Sequence, residues 1–515
     1  MRRSLTILFA AALVLAFTLP VQAQQQAPAV GKYLGAPDFK VRGLFRAAGT
    51  SSDNIFDFDD DIHDARRLIW SQWRWWFDTS FEGKYGGTMG LEWNWFWGVD
   101  AGSVGGQFPN LTLPGGTARG QDSGEVPPNL LRMKHAYVWF MVPGTPVKVT
   151  AGLQNWTIDP DLLMFAYQGD GWGIRADFPI IKGVLNATLG WIKWDEGRDI
   201  FNTAYAGVTG LAVGLVQNRD SDDSTFYLIN LTGALAKWFT FGTYHVWLHV
   251  GDNGSTRLDW GGWNFHAPNI NTFAGLGGRR PFDAMSGDYF WHGFHVSVNP
   301  GIFYSRLHFN YFWGNQDRRM NYNLLVPAQE EGDMDPSGWA LVGRFGIRPG
   351  PWSVGIKGWY FSGNDNDAFD PVNPEWDRWS SPDGYFAPFE IFYTGLRGAA
   401  INLNANYVMN PGGSAGLALE ADWQVTKKLL LDLIAGYIWA TEEWDKPLLT
   451  TLADKGMGWE VDLRATYKIY SNLSLDLVGA YFVADSGLDH FNPLTGVIKS
   501  GDNAYELFWR IAYDF

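Results

Sequence analysis

The sequence predicts an all-β fold, a transmembrane antiparallel β-barrel, on three observations. Apolar residues come in short alternating segments, tight turns alternate with long loops, and a last strand, Tyr505–Phe515, runs to the end of the chain. In that strand aromatic and aliphatic residues at the odd positions alternate with Glu506, Arg510 and Asp514 among the even ones. Because successive side chains of a strand point to opposite faces, this pattern suits a wall between lipid and a polar lumen.

The two ends of the chain indicate export to the bacterial outer membrane. Arg2 and Arg3 precede an apolar stretch from Leu5 to Phe17, and Val21-Gln22-Ala23 fits a small-residue cleavage site. The closing Phe515 resembles the C-terminal signal of bacterial outer-membrane proteins. We therefore predict a signal peptide over residues 1–23, a short periplasmic segment over 24–38 and the barrel over 39–515. A retained membrane anchor is the alternative for the apolar stretch.

Composition supports a membrane wall and excludes several classes of protein. The chain has 28 Trp, 21 Tyr and 35 Phe, which suit the aromatic girdles at the two membrane interfaces. The formal net charge is −15, or −17 once Arg2 and Arg3 are removed, and no basic run occurs, which argues against nucleic-acid binding. The lack of Cys excludes disulfides and thiolate metal sites. A soluble β-sandwich, the alternative all-β fold, would have to bury or solvate many Trp and Leu side chains.

Short turns and long connections alternate along the sequence. Tight turns, most of them with Gly, Pro or Asn, are predicted at Gly83–Gly87, Pro143–Pro146, Pro179–Gly183, Gly233–Lys237, Asn299–Gly301, Pro349–Pro351, Thr426–Lys428 and Ser471–Asn472. Longer polar or Gly-rich stretches lie between the hairpins, at Val99–Asn129, Glu196–Ser224, Gly251–Ser286 and Gly363–Ser414. This asymmetry is typical of outer-membrane barrels, and the segments count to about eighteen strands. The count leaves Ile401–Val408 in a loop, and sixteen strands is the alternative.

Charged residues on the predicted inner face are the candidates for the pore lining. They are Lys40, Arg42, Arg46, Arg74, Asp78, Glu82, Glu92, Arg132, Lys134, Arg175, Arg306, His308, Arg344, Glu460, Asp462 and Arg464. Cations dominate predicted strands one to six and eleven to thirteen, whereas acids gather in the C-terminal strands. Opposed charged walls at a constriction would set a transverse field and ion selectivity. The alternative is that these charges pair between neighbouring strands and keep the wall polar.

The acidic stretches and the histidines form no catalytic or metal-binding motif. Asp53–Asp64 and Asp365–Asp370 carry several carboxylates, but no Gly stands where a Ca²⁺-binding loop requires it. The histidines are scattered, without a Gly-x-Ser-x-Gly or His-Glu-x-x-His motif. We therefore expect solvated acidic loops, no bound metal, no cofactor and no enzyme activity.

The longest connection, Gly363–Ser414, contains the aromatic run Tyr385–Tyr393. Long loops without secondary structure are usually functional. This one could fold inward as a constriction, or pack over the barrel mouth or a neighbouring subunit. Its apolar character favours packing, over the mouth or against a neighbouring subunit.

Several strand-and-turn motifs resemble those of the outer-membrane homotrimeric porin family. Clearest over residues 39–195, they are Ala65-Arg66-Arg67-Leu68, Met89-Gly90-Leu91-Glu92, Met133–Tyr137, Val142–Val149 and Ala151–Gln154. The resemblance implies a homotrimer of barrels that passes small hydrophilic solutes and is surrounded by outer-membrane lipid and lipopolysaccharide. Val41, Gly43 and Ala47, near the first strand, are candidates for subunit contact. The abundance of Trp and the longer later loops depart from the family pattern.

The function expected from these observations is passive, general diffusion of small hydrophilic solutes and ions. The alternative is a substrate-specific channel for anionic or oligomeric solutes, with the inward Arg residues as its track. A structural barrel around a periplasmic electron carrier is a third class and would need a wider lumen. An energy-coupled transporter is disfavoured because no plug segment precedes the first predicted strand near Phe39.

Overall fold

Side chains along the long strands alternate between an exposed apolar face and a buried face. In the strand Gly456–Tyr470, Trp459 is 57% exposed and Leu463 54%, whereas Glu460 is fully buried and Asp462 nearly so. The pattern follows from the two-residue period of a strand, which sends aromatic and branched residues outward and polar residues inward. The exposed face is the one that a bilayer would cover.

The computed structural model describes residues 38–54, 66–97, 131–164, 170–195, 224–250, 284–321, 329–363, 377, 379, 386–392, 413–443, 454–492 and 497–515. Its strands are β1 (Asp38–Asp53), β2 (Arg66–Phe81), β3 (Tyr85–Phe96), β4 (Leu131–Met141), β5 (Lys148–Asn155), β6 (Asp170–Ile181), β7 (Leu185–Asp195), β8 (Ser224–Ala236), β9 (Phe239–Val250), β10 (Ala284–Val298), β11 (Phe303–Asn321), β12 (Gln329–Met334), β13 (Ser337–Ile347), β14 (Trp352–Phe361), β15 (Ser414–Gln424), β16 (Leu429–Trp439), β17 (Gly456–Tyr470), β18 (Leu473–Ala484), β19 (His490–Asn492), β20 (Val497–Lys499) and β21 (Ala504–Asp514). A short 3-10 turn covers Ser486–Leu488. Within these ranges no helix is long and apolar enough to cross a membrane.

The sheet closes on itself through its first and last strands. β1 pairs antiparallel with β2 on one side and with β21 on the other. Gly43 N donates to Phe515 O at 2.8 Å, and Phe515 N donates back to Gly43 O at 3.0 Å. The wall is an antiparallel barrel of 18 strands, as predicted. The sixteen-strand alternative is wrong, because the described strands close a wall of 18 in which β14 pairs directly with β15. Residues 401–408 lie outside the described residues.

Three short strands lie outside the barrel wall. β12 pairs with the end of β11 and extends it beyond the point where β13 begins to pair with β11. β19 and β20 form a separate two-stranded sheet in the connection between β18 and β21. All three belong to the side of the long connections, which we call the loop end of the barrel; the opposite side is the turn end.

The eight predicted tight turns all join neighbouring strands at the turn end. Two strands extend further than predicted: β6 continues through Pro179 to Ile181, and β8 continues through Gly233 to Ala236. Pro179 lacks an N–H for the ladder, and the pairing of β6 with β7 shifts register between Pro179 and Ile181. Gly183 in the turn that follows has φ 76°, a conformation that glycine adopts without strain.

Stacked aromatic side chains mark both ends of the outer surface. At the turn end, the rings of Trp352 and Trp423 stack with centroids 4.6 Å apart. At the loop end, Phe290 stacks on Trp313 at 4.3 Å and Trp339 stacks on Tyr360 at 4.4 Å. Such rows are the girdles that amphipathic rings form at membrane interfaces.

Several sequence predictions fall outside the described residues. These are the signal peptide over 1–23, the segment over 24–37, the acidic stretches at 55–65 and 364–376, and most of the long loops after β3, β7 and β9. They remain predictions.

Candidate functional site

Two stretches of chain fold into the lumen. The first inward segment, residues 156–164, follows β5; the second, residues 386–392, belongs to the connection between β14 and β15. Their apolar side chains are buried, and Trp156, Leu163 and Met164 are fully so. They pack on inward aromatic residues of the wall: Phe386 lies 5.9 Å from Trp359 and Phe392 lies 5.6 Å from Phe482, ring centre to ring centre. An apolar core therefore occupies part of the lumen.

The second segment decides between two sequence interpretations. The sequence favours packing of the aromatic run Tyr385–Tyr393 over the barrel mouth or against a neighbouring subunit, but residues 386–392 lie inside the barrel. The physical reason is the inner wall itself, which presents Trp359, Phe361 and Phe482 at the loop end. Aromatic rings that are buried against each other stabilise the fold more than rings that stay exposed at the mouth.

Asp159 organises the first inward segment from within. Its carboxylate accepts the backbone N–H groups of Asp161 at 3.2 Å, Leu163 at 2.8 Å and Met164 at 3.0 Å. Trp156 Nε1 donates to Gly171 O of β6 at 2.9 Å. The segment is thus a compact turn whose backbone donors are satisfied by one carboxylate, as in an Asx turn.

The first segment contacts the wall through carboxylates. His308 Nδ1 lies 3.1 Å from Asp161 Oδ2 and 3.8 Å from Asp159 Oδ1. Arg306 Nη1 donates to Asp161 Oδ1 at 3.3 Å. Burial raises the pKa of Asp159 above its usual range, despite the charge of His308 and the backbone hydrogen bonds that oppose it. Burial also acts to raise the pKa of Asp161, but the hydrogen bond and charge of His308, with the charge of Arg306, outweigh it and leave that pKa lowered.

The second segment contacts the wall through its backbone. Glu390 N donates to Asp462 Oδ2 at 2.9 Å. Ile391 N and Phe392 N donate to the two carboxylate oxygens of Glu460 at 2.5 and 2.9 Å. Both acids stand on β17 and are buried. Hydrogen bonds from backbone N–H groups to a buried carboxylate are charge-assisted and hold the segment against the wall.

A chain of side chains links the two inward connections. Trp379, which belongs to the same connection as the second segment, donates from Nε1 to Asn310 Oδ1 at 2.8 Å. Asn310 Nδ2 donates to the Tyr244 hydroxyl at 2.9 Å, and that hydroxyl lies 2.9 Å from His308 Nε2. His308 in turn contacts Asp161 of the first segment. All four linking side chains are buried.

Most of the charged candidates from the sequence are engaged in ion pairs. The pairs are Arg42 with Asp78, Arg74 with Glu92, Lys134 with Asp170, Arg175 with Asp177, Arg306 with Asp161, Arg344 with Glu420 and Arg464 with Asp476. Six of these seven pairs lie within the wall: three join neighbouring strands, two join strands one further apart, and Arg175 pairs with Asp177 of its own strand. The arrangement is that of the pairing alternative rather than of two uniformly charged opposite walls.

Arg46 differs from its neighbours on the wall formed by β1, β2 and β21. Its Nε is buried and has no hydrogen-bond partner among the described residues. The charges that act on it include two cations, Arg510 and Arg74, and two acids, Asp514 and Glu92. Arg74 is paired with Glu92, and Arg510 with Asp476 at 2.7 Å. Arg46 is therefore a lumen cation whose Nε is left available.

Three candidates stand apart from the wall contacts. Glu82 is a correction: β2 ends at Phe81, and Glu82 lies in the following turn, exposed and paired with Lys84 at 2.6 Å. Its position at the end of the alternating pattern suggested a strand, but a turn residue at φ 50° leaves the wall. Lys40 is exposed near the turn end. The side chain of Arg132 lies outside the described residues.

The first inward segment was not predicted from the sequence. Asp159, Asp161 and the apolar run Leu162–Met164 lie in a connection of ordinary length between β5 and β6. The available signal was the pattern Asp-Pro-Asp followed by three apolar residues, which is unusual for a solvated loop. Within the described part of the chain, no group of three or more His, Asp or Glu side chains is arranged to hold a metal ion.

Similar folds occur among solved structures. Pseudomonas aeruginosa OccK9 (OpdG) aligns with a TM-score of 0.50 at 12% identity, over 93% of this chain and 98% of its own. OpdK of the same organism, in a structure with vanillate, gives 0.49 at 10% identity over 93% and 98%, and OpdL gives 0.49 at 11% over 93% and 99%. No protein-family model matches the chain, and no curated protein matches it. At such identities the likeness to OccK9 concerns the barrel fold.

Proposed function

We propose that this chain forms a channel in the bacterial outer membrane through which small hydrophilic solutes and ions diffuse passively. The proposal is carried by a closed barrel with an apolar outer face and a polar, ion-paired inner face at the turn end. A closed wall leaves no unpaired strand edge in the bilayer. Polar side chains inside can replace part of the hydration of a passing solute.

The two inward segments favour a selective channel over a general one. Each segment is fixed to the wall by a carboxylate contact, at 3.1 Å between Asp161 and His308 and at 2.9 Å between Phe392 and Glu460. Because the wall partners His308 and Glu460 have no exposed surface, water competes little with these contacts, and the segments narrow the lumen persistently. A solute must then pass between the segments and the remaining wall. Its size and charge determine whether it passes.

Arg46 indicates the charge of the preferred solute. With Arg42, Arg74 and Arg510 it forms a cationic strip on the inner face of β1, β2 and β21. The other three cations have carboxylate partners, whereas Arg46 Nε has none among the described residues. A carboxylate on a solute would supply a charge-assisted hydrogen bond there. Small anions are therefore the class we assign to the channel.

A homotrimer in contact with lipid and lipopolysaccharide completes the proposal, with one change in the contact surface. Val41, Gly43 and Ala47 were expected to form a flat patch for a neighbouring subunit. The ring of Phe515 lies over Gly43, so closely that a Cβ at Gly43 would stand 2.1 Å from its Cζ. A neighbour at this strand would meet that ring rather than the glycine. Crosslinking of the unheated, detergent-solubilised protein tests the trimer, and a monomer alone would contradict it.

The test of the channel is conductance of the purified protein in a planar bilayer under a salt gradient. We expect discrete conductance steps and a reversal potential of the sign given by anion preference. Arg46→Gln should move that potential toward cation preference, because it removes the available lumen cation. The matched control is Lys84→Gln, which removes the same charge in an exposed turn and should leave the potential unchanged.

The outcomes separate the parts of the proposal. An absence of conductance would contradict the open channel. Conductance with cation preference, unaltered by Arg46→Gln, would retain a channel but contradict the assignment to anions. For organic solutes, a liposome-swelling assay compares the uptake of gluconate, an anion, with that of the neutral solute glucose.

A further inference from the structure

Two histidines on the outer face of the barrel form a hydrogen-bonded pair. His245 on β9 and His292 on β10 stand directly opposite each other, with their Nδ1 atoms 2.7 Å apart, and His245 is exposed. Phe290 and Trp313, which belong to the loop-end girdle, lie one outward position nearer the loop end. The pair therefore lies inside the girdle, at a depth where a bilayer is hydrocarbon and polar side chains are costly.

The hydrogen bonds of the pair run in one direction and end on an unused donor. The indole Nε1 of Trp313 donates to His292 Nε2 at 3.1 Å. Because an indole can only donate, a neutral His292 carries its hydrogen on Nδ1 and donates it to His245 Nδ1. A neutral His245 then carries its hydrogen on Nε2, which has no hydrogen-bond partner among the described residues. An N–H group without an acceptor is costly in hydrocarbon, so the pair calls for a partner outside the subunit.

Lipid is a poor partner for this donor. Acyl chains carry no hydrogen-bond acceptor. The phosphate groups of lipopolysaccharide call for cations, but no Lys or Arg faces outward among the described side chains of β8–β11. Asp288, an acid, stands on the loop-end side of the pair, hydrogen-bonded to His249 at 2.8 Å. Another protein wall is therefore the better source of an acceptor.

Three-fold symmetry determines where on the barrel that acceptor lies. A contact of one face with itself would set the His245 donor against its own copy, so two different faces must meet, as they do in a ring. In a ring of three equal barrels, the directions from one barrel to its two neighbours differ by about 60°. Eighteen strands take about 20° each, so the second face lies three strands from the first and at the same height.

Gly343 on β13 and Gly358 on β14, which stand directly opposite each other, meet both conditions. The pair lies between β9 and β10, and the boundary of β13 and β14 lies three strands further round the wall. Rows of paired residues climb toward the loop end in chain order by about one residue per strand, the stagger of a tilted barrel. The row that contains His245 and His292 reaches Trp339 on β13. Gly343 lies four residues nearer the turn end than Trp339, which offsets the climb over three strands.

The outer face at these two glycines, which we call the glycine notch, has room and acceptors for the contact. A Cβ at Gly343 would come no closer than 3.9 Å to Leu307 Cδ1, and one at Gly358 no closer than 3.6 Å to Leu417 Cδ1. Packing within the subunit therefore leaves space for a side chain at both positions. Because glycine lacks a side chain, the backbone carbonyls of the notch are uncovered, and each keeps a lone pair beyond the one used in the ladder.

We propose that the subunits of the homotrimer meet through these two faces, the histidine pair of one copy against the glycine notch of the next. His245 Nε2–H donates to an uncovered backbone carbonyl of the notch, and Leu307 and Leu417 pack on either side of the imidazole. Each copy offers both faces, so three contacts close the ring and no donor is left in lipid. The inference rests on the proposed homotrimer and assigns its contact surface.

Paired cysteines test the contact, since the chain has no Cys of its own. His245→Cys combined with Gly358→Cys should form disulfides between copies and migrate as a covalent trimer without reductant. Within one copy the two positions are at least about 19 Å apart along the wall, beyond the reach of a disulfide. The matched control combines His245→Cys with Gly479→Cys and should remain unlinked. Gly479 is an outward glycine of β18 with similar space, since a Cβ there would come no closer than 3.6 Å to Leu507 Cδ2.

A second pair of variants tests the notch by filling it. Gly358→Leu should release folded monomers in unheated detergent, whereas Gly479→Leu should leave the trimer intact. A trimer retained in Gly358→Leu would overturn the proposal, and so would a covalent dimer of His245→Cys alone, which requires a two-fold contact.

The remaining outcomes separate this contact from the channel. An unlinked His245→Cys, Gly358→Cys protein would overturn the contact. Less lipopolysaccharide co-purifying with His245→Leu than with the unaltered protein would in that case assign the histidine pair to lipid. Conductance of the same preparations reports on the channel separately, and its absence in a correctly linked trimer would contradict the proposed function alone.

Discussion

The two inward segments are held by the wall with opposite polarity. The first, residues 156–164, supplies the carboxylates of Asp159 and Asp161 to a wall that carries His308 and Arg306. The second, residues 386–392, supplies backbone N–H groups to a wall that carries Glu460 and Asp462. The first contact lies near the turn end of β11 and the second near the loop end of β17.

The two contacts depend on different chemistry. The first contact is between ionisable side chains, so its strength changes with pH and with single substitutions in the segment. The second uses donors that every residue except proline possesses, so it depends on the wall acids alone. Both rely on carboxylates, because a carboxylate accepts several hydrogen bonds at once.

Removal of the wall acid of the second contact should have the largest effect on the protein. Glu460→Leu leaves the N–H groups of Ile391 and Phe392 without acceptors in a buried site. We expect a loss of ~2–4 kcal/mol in the free energy of unfolding in detergent, and a higher conductance as the segment leaves its place. Glu506→Leu is the control, since Glu506 is a buried acid of the same type that accepts from Thr50 and touches neither segment. Equal conductance in both variants would contradict the role of Glu460.

Asp161→Asn tests the first contact through its pH dependence. The pKa of Asp161 is lowered in the folded protein. Its ionised form therefore stabilises the fold above the unfolded value of about 3.9, and this contribution is lost as the pH falls through the lowered folded pKa. Urea unfolding of the unaltered protein should show a free energy of unfolding that rises with pH between pH 3 and pH 7. The variant should lack a part of it on the order of 1 kcal/mol; an unchanged pH profile would contradict the contact.

Asp159→Asn should change the pH profile with the opposite sign. Burial raises the pKa of Asp159, so the unfolded chain ionises first as the pH rises above about 4. Stability is then lost until the folded pKa is reached. The Asn variant keeps an acceptor for the backbone N–H groups and removes this loss, on the order of 1 kcal/mol. The same urea series measures it, and a change of the same sign as in Asp161→Asn would contradict the assignment.

Trp379→Phe tests the hydrogen bond that links the two inward connections. It removes the indole donor and leaves Asn310 Oδ1 without that partner. We expect a loss of ~1 kcal/mol in stability and more frequent gating at neutral pH. Trp339→Phe, on the exposed outer face, should leave the gating unchanged. Similar gating in the two variants would show that Trp379 acts only by filling space.

The smallest effect is expected at Glu82. Glu82→Gln removes an exposed ion pair with Lys84 in a turn outside the lumen. Neither the unfolding temperature nor the reversal potential should change measurably, because water screens an exposed pair. A shift of the reversal potential would place Glu82 in the ion path after all.

Residue patterns local to each strand and turn were sufficient to predict the barrel wall. The alternation in Tyr505–Phe515 and Gly456–Tyr470 gave the faces, and the turn residues gave the hairpins, because a two-residue period and a tight turn each depend on neighbours in the chain. The eighteen-strand count followed from these two features. The ends of β6 and β8 did not, because the register shift at Pro179 depends on the partner strand.

The sequence by itself thus determined an all-β wall with one apolar face and its order of hairpins. Only the tertiary structure decided which charges pair, that residues 156–164 and 386–392 enter the lumen, and that Glu82 stays outside it. The reason is distance along the chain. Asp161 and His308 are 147 residues apart, and Glu460 and Phe392 are 68 apart. No local pattern carries such contacts, since they exist only once the barrel has closed.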